Sequence, residues 1–407
     1  MSLDIDYVRE QFPALRGEWV YLDNAGGSQV PQCVADRISD YLLSTNVQLG
    51  ASYTPSQLAG ERVAQGRASV AQLVNAQHVE EMVFGPSTTV LLRFLADAMA
   101  SQFDRGDEII VTNTDHESNI GPWLRLRERG VNVRFWNCNP ETLELELETL
   151  GGLMNERTRL VCVTHVSNLL GTINPVKSIA RFVHERGARL CVDGVAYAPH
   201  RAIDVADWDV DFYCFSLYKV YGPHLAALFV KRDILLELDN IYHGFFDKKH
   251  IPNKMEPGNL NYELTYACGA IVEYLEGLVQ QEGTVISGRE AIMHAFEAIA
   301  EQETRLGEIL LAFLRARDNV RIIGLPESDP DRRVPTISFV VNGMQSDDIV
   351  RRVDEASIGI RFGDFYARRL VEDMGLTKVN GVVRVSMVHY NTEDEINRLV
   401  EILDTVI

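Results

Sequence analysis

The chain has 407 residues, of which 46% are hydrophobic and 24% charged, and its formal net charge at pH 7 is −19. This length exceeds what one hydrophobic core usually serves, so we expect two unequal domains. The negative charge disfavours nucleic acid and anionic membranes as partners, and no stretch approaches the roughly 20 apolar residues of a membrane span. The composition therefore indicates an ordinary soluble protein.

The N-terminus and the cysteines indicate the compartment. Residues Met1 to Asp6 carry acidic side chains where a secretory or transit peptide has Lys or Arg before an apolar core. The six cysteines are dispersed, with no CxxC pair and no Cys/His cluster at zinc-ligand spacing. These features predict a cytoplasmic protein with reduced thiols and no metal site.

Short apolar runs alternate with amphipathic stretches at helical spacing from about Val83 to Val230. This alternation predicts strand and helix units in a largely parallel sheet, and the continuous hydrophobicity of the runs suits strands covered on both faces. The predicted strands include Glu108 to Thr112, Arg159 to Thr164, Arg189 to Val192, Asp211 to Phe215 and Ala226 to Val230.

The pattern changes after Gly258. Two long helices and two strands are predicted there, over Thr265 to Gln281, Ile286 to Arg317, Thr336 to Val341 and Val382 to Met387. They predict a smaller α+β unit, with the boundary near Glu282-Gly283. We assign residues 21–283 to the large domain and residues 1–20 and 284–407 to the small domain, although the first twenty residues could pack with either.

Polar residues end five of the predicted strands. These ends are Gly85 to Thr89, Thr114 to His116, His165 to Asn168, Asp193-Gly194 and Ser216 to Lys219. Because ligands bind at the carboxyl ends of strands in open α/β sheets, we expect these segments to converge. An anion cradle, an imidazole, an amide, a carboxylate and an amine would then meet at one edge of the sheet.

An amine and a carboxylate on neighbouring strand ends suit pyridoxal phosphate. This cofactor needs an amine for a Schiff base, a carboxylate that keeps its ring nitrogen protonated, and a phosphate pocket. Lys219 and Asp193 supply the first two. Taken singly, Lys219 would more often be a surface lysine at a strand end, and Asp193 would more often be a helix cap or turn former. Their joint placement favours the cofactor.

The third requirement, a phosphate pocket, falls at Ser87, Thr88 and Thr89, which precede a helical pattern from Val90 to Leu95. A helix start offers unpaired N–H groups and a partial positive charge, so a phosphate suits it. Plain N-capping by Ser87 or Thr88 explains the same residues equally well. The chain has no GxGxxG and no GxxxxGK[ST] motif, which disfavours a dinucleotide site or a P-loop.

Five segments resemble, in order and spacing, the motifs of the class V aminotransferase family, and within it the cysteine-desulfurase-like branch. They are Tyr21 to Gly27, Thr114 to Trp123, His165 to Thr172, Val192 to Gly194 and Phe215 to Pro223. The resemblance implies the aspartate-aminotransferase fold, which is fold type I of the pyridoxal-phosphate enzymes. That fold has a large α/β domain with a mainly parallel seven-stranded sheet and a smaller α+β C-terminal domain.

The resemblance also implies residue roles. Lys219 is implied as the Schiff-base lysine, Asp193 as the partner of the pyridine nitrogen, and His116 as the side chain that stacks on the ring. For the substrate carboxylate it implies Arg384, whose guanidinium fork suits that group, together with Asn168. Strand ends and resemblance together give a cofactor-binding set of Ser87, Thr88, Thr89, His116, Asn168, Asp193, Ser216, Tyr218, Lys219 and Asn259.

Asn259 enters that set through an implied homodimer with active sites at the interface. In the family, the segment that corresponds to Glu256 to Asn259 reaches the neighbouring subunit's phosphate. The family usually has Thr after the Gly of this segment, where this chain has Asn259. An asparagine can still donate a hydrogen bond there.

The chain departs from the desulfurase pattern at three positions. Desulfurases carry a cysteine on a loop of the small domain, whose thiolate takes sulfur as a persulfide. Here Tyr366 stands at that position, and no cysteine follows Cys268. Ala196 replaces a glutamine that contacts the ring oxygen of the cofactor, and Tyr218 replaces the usual histidine.

These features predict an enzyme that acts at Cα and Cβ of an amino acid. With no acceptor thiol, β-elimination to a keto acid and ammonia is the leading hypothesis. Transamination or epimerisation remains open, since the same carbanion can be reprotonated elsewhere, and Arg361 could then hold a second carboxylate. A scaffold protein that has lost catalysis is a third possibility, which the presence of Lys219 disfavours.

Overall fold

The computed structural model describes residues 3–280 and 286–407. In chain order its strands are β1 (Val20–Tyr21), β2 (Met82–Gly85), β3 (Glu108–Thr112), β4 (Asn132–Trp136), β5 (Thr158–Thr164), β6 (Arg189–Asp193), β7 (Phe212–Ser216), β8 (Ala226–Val230), β9 (Val320–Ile323), β10 (Thr336–Val341), β11 (Ile358–Gly359), β12 (Arg361–Gly363) and β13 (Val382–Ser386).

The helices lie between and around these strands. They are α1 (Ile5–Glu10), α2 (Gln32–Ser44), α3 (Thr54–Val74), α4 (Thr88–Met99), α5 (Gly121–Leu124), α6 (Leu147–Leu153), α7 (Val176–His184), α8 (Val205–Trp208), α9 (Arg232–Glu237), α10 (Tyr262–Ala267), α11 (Gly269–Gln280), α12 (Gly288–Arg315), α13 (Ser346–Asp354), α14 (Arg368–Asp373) and α15 (Glu393–Val406). Among the described helices, none is long and apolar enough to cross a membrane.

The large sheet has, among the described residues, seven strands in the order β2-β8-β7-β6-β5-β3-β4. Strands β4, β3, β5, β6 and β7 run parallel, while β8 pairs antiparallel with β7 and β2. The prediction of a mainly parallel sheet is therefore confirmed, and β8 is the strand that reverses direction.

Successive side chains of the inner strands enter two different cores. Val161 and Val163 of β5 pack in the core on one face of the sheet, whereas Leu160 and Cys162 pack in the core on the other. Side chains of a strand alternate between faces, and here both faces are covered by helices. This explains why the strand runs are continuously apolar in the sequence.

The predicted strands agree with the structure to within one residue, but one predicted helix is wrong. The stretch from Thr265 is two helices, α10 and α11, separated at Cys268. The second begins at Gly269, where a Cβ would lie 2.3 Å from Nη1 of Arg37. The end of that prediction at Gln281, and the domain boundary near Glu282-Gly283, lie outside the described residues.

The C-terminal unit is built on a four-stranded antiparallel sheet, in the order β12-β13-β10-β9 among the described residues. Helix α12 contributes to both cores: Ile292 and Phe296 pack with the large sheet, whereas Leu306 and Leu310 pack with the small one. The N-terminal segment also touches both units. Phe12 packs in the large core, and β1 pairs with β11.

The parallel strands β5, β6 and β7 end side by side. Thr164 at the end of β5 is in register with Asp193 at the end of β6, and Asp193 is in register with Cys214 of β7. The residues that follow each strand therefore emerge at the same edge of the sheet. Helix α4 begins beside this edge, after β2.

Candidate active site

A cavity that opens to solvent lies at this edge, with about 490 Å³ of empty space when its open mouth is included. It is lined by all but one of the residues predicted to bind the cofactor, namely Ser87, Thr88, Thr89, His116, Asn168, Asp193, Ser216, Tyr218 and Lys219. Five further lining residues were not named as site residues from the sequence: Ser118, Thr164, Val166, Val195 and Ala196. The topology brings together segments that are more than a hundred residues apart in the chain.

Lys219 places a buried amine in this cavity. It ends the short 3-10 turn that follows β7, and it is 8% exposed. Its Nζ has no hydrogen-bond partner among the described residues. Burial lowers the pKa of Lys219 to about 8, helped by the nearby charge of Arg384 and opposed by Asp193 and Asp23. A buried amine of lowered pKa without a partner is typical of a functional group.

Asp193 faces the same cavity from the end of β6. Its Oδ1 accepts a hydrogen bond of 2.9 Å from the backbone N–H of Val195, and within the described chain its Oδ2 accepts none. Burial raises the pKa of Asp193 to about 6, against the effects of the Val195 N–H and of Lys219. A cationic N–H group beside Oδ2 would favour the ionised carboxylate.

The glycine after Asp193 is required by the packing below the cavity. A Cβ at Gly194 would lie 2.2 Å from the ring of Tyr213. The Tyr213 hydroxyl in turn lies 3.0 Å from Nδ1 of His165, whose ring stacks on Tyr197 at 3.6 Å. These buried aromatic rings hold the end of β6 in place.

The start of α4 forms the anion cradle. Ser87 caps this helix through a 3.2 Å hydrogen bond from the Val90 N–H to its Oγ. The backbone N–H groups of Thr88 and Thr89 have no acceptor in the described part of the chain. The Thr88 hydroxyl lies 2.7 Å from the Ser216 hydroxyl, and that of Thr89 lies 2.6 Å from Ser118. Capping by Ser87 and an anion site on the next two residues are therefore compatible.

His116 contributes a neutral imidazole to the cavity wall. Its Nδ1 accepts a 3.1 Å hydrogen bond from the Ser118 N–H, so the ring proton resides on Nε2. Burial lowers the pKa of His116 to about 4, and the charges of Lys219 and Arg384 act in the same direction. An uncharged flat ring of this kind suits stacking on a heteroaromatic ligand.

Arg384 and Asn168 lie next to each other, but only Asn168 reaches the cavity. Arg384 is 2% exposed; its Nη2 donates to Oδ1 of Asp23 over 2.7 Å and its Nη1 to the Asn168 carbonyl over 3.1 Å. The guanidinium carbon lies 3.7 Å from the ring centroid of Phe365. Arg384 Nε and Asn168 Oδ1 are buried, and neither has a hydrogen-bond partner among the residues that the structure describes.

Asn259 is the predicted residue that the single chain leaves outside the cavity. It lines a separate depression, beside Gly85, Pro86 and His224. Its predicted partner belongs to a second subunit, so its role stays a prediction.

Two of the lining residues that were not predicted could have been found from their positions in the sequence. Thr164 is the last residue of its strand, and Ser118 follows His116 by two positions within the segment Thr114 to Trp123. Val195 and Ala196 follow Asp193 and have side chains without polar groups; Ala196 entered the sequence analysis only as the position where desulfurases have a glutamine.

Comparison with known proteins identifies the family of the chain. A profile described as aminotransferase class V matches residues 20–399. The chain belongs to the class V aminotransferase family. Members of this family are pyridoxal-phosphate-dependent enzymes, and the chain is a cysteine-desulfurase-like member. Its architecture is accordingly fold type I, with the seven-stranded, mainly parallel sheet and the smaller C-terminal domain that the resemblance implied.

Individual relatives cover nearly the whole chain. The aminotransferase-like protein FGM3 of Gibberella zeae is 42% identical, over 100% of this chain and 99% of the relative. The cysteine desulfurase-like protein ustD of Aspergillus flavus is 35% identical, over 100% of this chain and 91% of the relative. The crystal structure of the cysteine desulfurase CsdA from Escherichia coli matches with a TM-score of 0.85 and 26% identity, covering 100% of this chain and 98% of that one.

The cavity fits the cofactor of this family on chemical grounds. It offers a buried amine and a carboxylate oxygen that have no partners among the described residues, a helix start with two unpaired N–H groups, and a neutral imidazole. Lys219 would hold the aldehyde, and Asp193 would hold the ring nitrogen. Thr88 and Thr89 would hold the phosphate, and His116 would lie against the ring face. The described residues contain no group of three or more His, Cys, Asp or Glu that could hold a metal ion.

Proposed function

We propose that the chain binds pyridoxal phosphate through Lys219 and catalyses β-elimination from a β-substituted amino acid, without forming a protein persulfide. One observation carries the choice of reaction. Beside the cavity, the ring of Tyr366 lies 5.2 Å from His116, at the position where the desulfurase branch carries its cysteine. A phenol cannot accept sulfur as a persulfide, and no cysteine of the described residues lines the cavity.

Each residue has one task in this proposal. When bound, the cofactor accepts the electron pair that the substrate releases at Cα. The Lys219 amine takes the Cα proton, which its lowered pKa favours because a larger fraction is neutral near pH 8. Asp193 keeps a proton on the pyridine nitrogen, and His116 supports the ring face. Arg384 and Asn168 orient the substrate carboxylate.

The overall reaction is balanced without an oxidant. The substrate loses the proton at Cα, and the bond from Cβ to the substituent breaks, so that the substituent leaves with its electron pair and a proton. Water then hydrolyses the released enamine to a keto acid and ammonia. A thiol, or another leaving group that is stable as an anion, fits the position of the β-substituent.

A panel of β-substituted amino acids tests the proposal. Purified enzyme with added cofactor is expected to release one keto acid and one ammonia per substrate consumed. Lys219→Ala should release neither. If no amino acid of the panel gives a keto acid, β-elimination is rejected.

Transamination or epimerisation is the alternative reaction, and the position of Arg361 is the observation that favours it. Nη1 of Arg361 lies 3.6 Å from Oδ2 of Asp23, and its side chain is 59% exposed. An exposed guanidinium beside the carboxylate site could bind a second carboxylate of a dicarboxylic substrate. The relative FGM3 is itself named aminotransferase-like. Amino-group exchange between a labelled amino acid and a keto acid, or loss of chirality at Cα, would establish this alternative.

We also propose a homodimer, in which Asn259 of one subunit approaches the phosphate of the other. An interface between subunits would cover large apolar side chains that are exposed in the single chain, for example Leu43 at 85% exposure and Phe245 at 77%. Light scattering on the purified protein should give twice the chain mass, and a monomer would contradict the proposal.

A further inference from the structure

We propose that residues 364–366, here called the cover segment, close Arg384 to substrate and are displaced when the carboxylate of an amino acid binds. Phe365 and Tyr366 would then determine which amino acids reach the guanidinium. The inference deepens the proposed function and rests on it for the identity of the ligand, a free α-amino acid.

Phe365 makes the central contact. Its ring centroid lies 3.7 Å from the guanidinium carbon of Arg384, and its carbonyl accepts a 2.8 Å hydrogen bond from Nδ2 of Asn168. Phe365 therefore contacts both of the residues that are assigned to the substrate carboxylate. Because Arg384 is 2% exposed and does not line the cavity, a carboxylate in the cavity cannot contact it while Phe365 stays there.

Tyr366 holds the segment at the cavity by few contacts. Its carbonyl accepts a 2.9 Å hydrogen bond from the Glu117 N–H, and its ring lies tilted against His116. The side chain is 69% exposed, so moving it uncovers little additional apolar surface. Within the described chain the segment is kept closed by one cation–π contact, two hydrogen bonds to neighbouring segments, one partial ring contact and the packing of Phe365 against the apolar cluster around Leu370.

The backbone of the segment opposes the closed conformation. Phe365 has φ 52° and Tyr366 has φ 61°, so two successive residues with bulky side chains adopt the left-handed conformation. That conformation is unfavourable for residues other than glycine and persists only where contacts enforce it. This strain offsets part of the stabilisation by those contacts, so a ligand that binds only the open state can shift the equilibrium toward it.

An open state would give one buried donor a hydrogen-bond partner. When the segment is closed, Arg384 Nε, a donor, and Asn168 Oδ1, an acceptor, are buried and have no partner in the described part of the chain. A carboxylate that replaces Phe365 supplies an acceptor for Nε. The closed state thus leaves unsatisfied one of the groups that would recognise the ligand.

Binding of L-alanine to the holoenzyme tests the inference, because L-alanine has a carboxylate but no β-leaving group. In Phe365→Ala the competing ring is gone, so calorimetry should show roughly five-fold tighter binding than in the wild type. Phe362→Ala, which removes a neighbouring phenylalanine on β12, should bind as the wild type does. Weaker or unchanged binding in Phe365→Ala would overturn the inference, since Phe365 would then be a wall of the site or irrelevant to it.

Hydrogen exchange supplies a readout that does not depend on turnover. Saturating L-alanine should accelerate exchange at the Glu117 and Ala367 amides, which donate to Tyr366 and Asp364 carbonyls in the closed state. In Phe365→Ala these amides should exchange fast without ligand. Slower or unchanged exchange on binding would contradict a displaced cover. Absence of keto acid from every substrate would reject β-elimination and leave these two results intact.

Discussion

Nη2 of Arg384 and Oδ1 of Asp23 are 2.7 Å apart, and this pair joins strand β13 of the small domain to the segment that follows β1. The arginine is buried, whereas the Asp23 side chain is 30% exposed. On the exposed side Arg361 approaches the same carboxylate. Asp23 therefore pairs with two cations. One is the buried Arg384, which is predicted to bind substrate, and the other is Arg361 at the surface.

Removal of the Asp23 charge should destabilise the protein far more than removal of Arg361. Asp23→Asn leaves the buried guanidinium of Arg384 without a counter-charge, and we expect the free energy of unfolding to fall by about 2 kcal/mol. Arg361→Ala breaks only an exposed pair, for which a loss of less than about 1 kcal/mol is expected. Urea unfolding of both variants measures this, and equal losses would contradict the assigned difference in burial.

The pKa of Lys219 predicts the pH dependence of cofactor attachment. Only the neutral amine adds to an aldehyde, and burial lowers the pKa of this lysine from an ordinary value of 10.5 to about 8. In protein stripped of cofactor, the rate at which added pyridoxal phosphate restores the visible absorbance band should rise with pH, reach half of its maximum near pH 8 and level off at higher pH. A rate that still climbs steeply toward pH 10 would mean that the amine is not shifted.

Lys254 provides the matched control for Lys219. It is also a fully buried lysine, and its Nζ donates to the carbonyls of Leu238 and Lys248 at 2.7 and 3.1 Å. It does not line the cavity. Lys254→Met should therefore keep the visible band, whereas Lys219→Ala should lose it at every pH.

The hydroxyl of Thr88 is expected to contribute to cofactor affinity. It lies 2.7 Å from Ser216 at the mouth of the anion cradle, and a hydrogen bond to a charged group stabilises by roughly 2 kcal/mol. Thr88→Ala should raise the Kd for pyridoxal phosphate at least about ten-fold, while Thr88→Ser should stay close to wild type. Thr304→Ala, which loses a hydroxyl bound within α12, is the control and should leave this Kd unchanged.

A thiol in place of Tyr366 should restore the chemistry that the chain lacks. With L-cysteine, Tyr366→Cys is expected to take the sulfur from Cβ onto its thiolate, so that L-alanine is released and the protein gains one sulfur atom. Intact-protein mass spectrometry detects the product, and Phe362→Cys is the control. If the Tyr366 variant gains no sulfur while it still converts L-cysteine, the cover segment does not reach the sulfur atom on Cβ of the substrate.

Much of the fold could be predicted from the sequence, because its determinants are local. Apolar runs alone predict the strands that begin at Glu108 and Ala226, because a strand buried on both faces is apolar at successive positions. The apolar pattern continues across Cys268, so it does not mark the one-residue break between α10 and α11. The positions of Lys219 and Asp193 followed from the rule that functional groups lie at carboxyl ends of strands.

The sequence alone determined the kind of chemical groups at the site. It has an amine, a carboxylate and a helix start at strand ends, in the order of a known family, and it has no cysteine after Cys268. Only the tertiary structure decided that Phe365 covers Arg384 and that Asp23 holds it, because these contacts join segments that are distant in the chain. Side-chain type can be read from a sequence, whereas competition between two groups for the same guanidinium depends on positions in space.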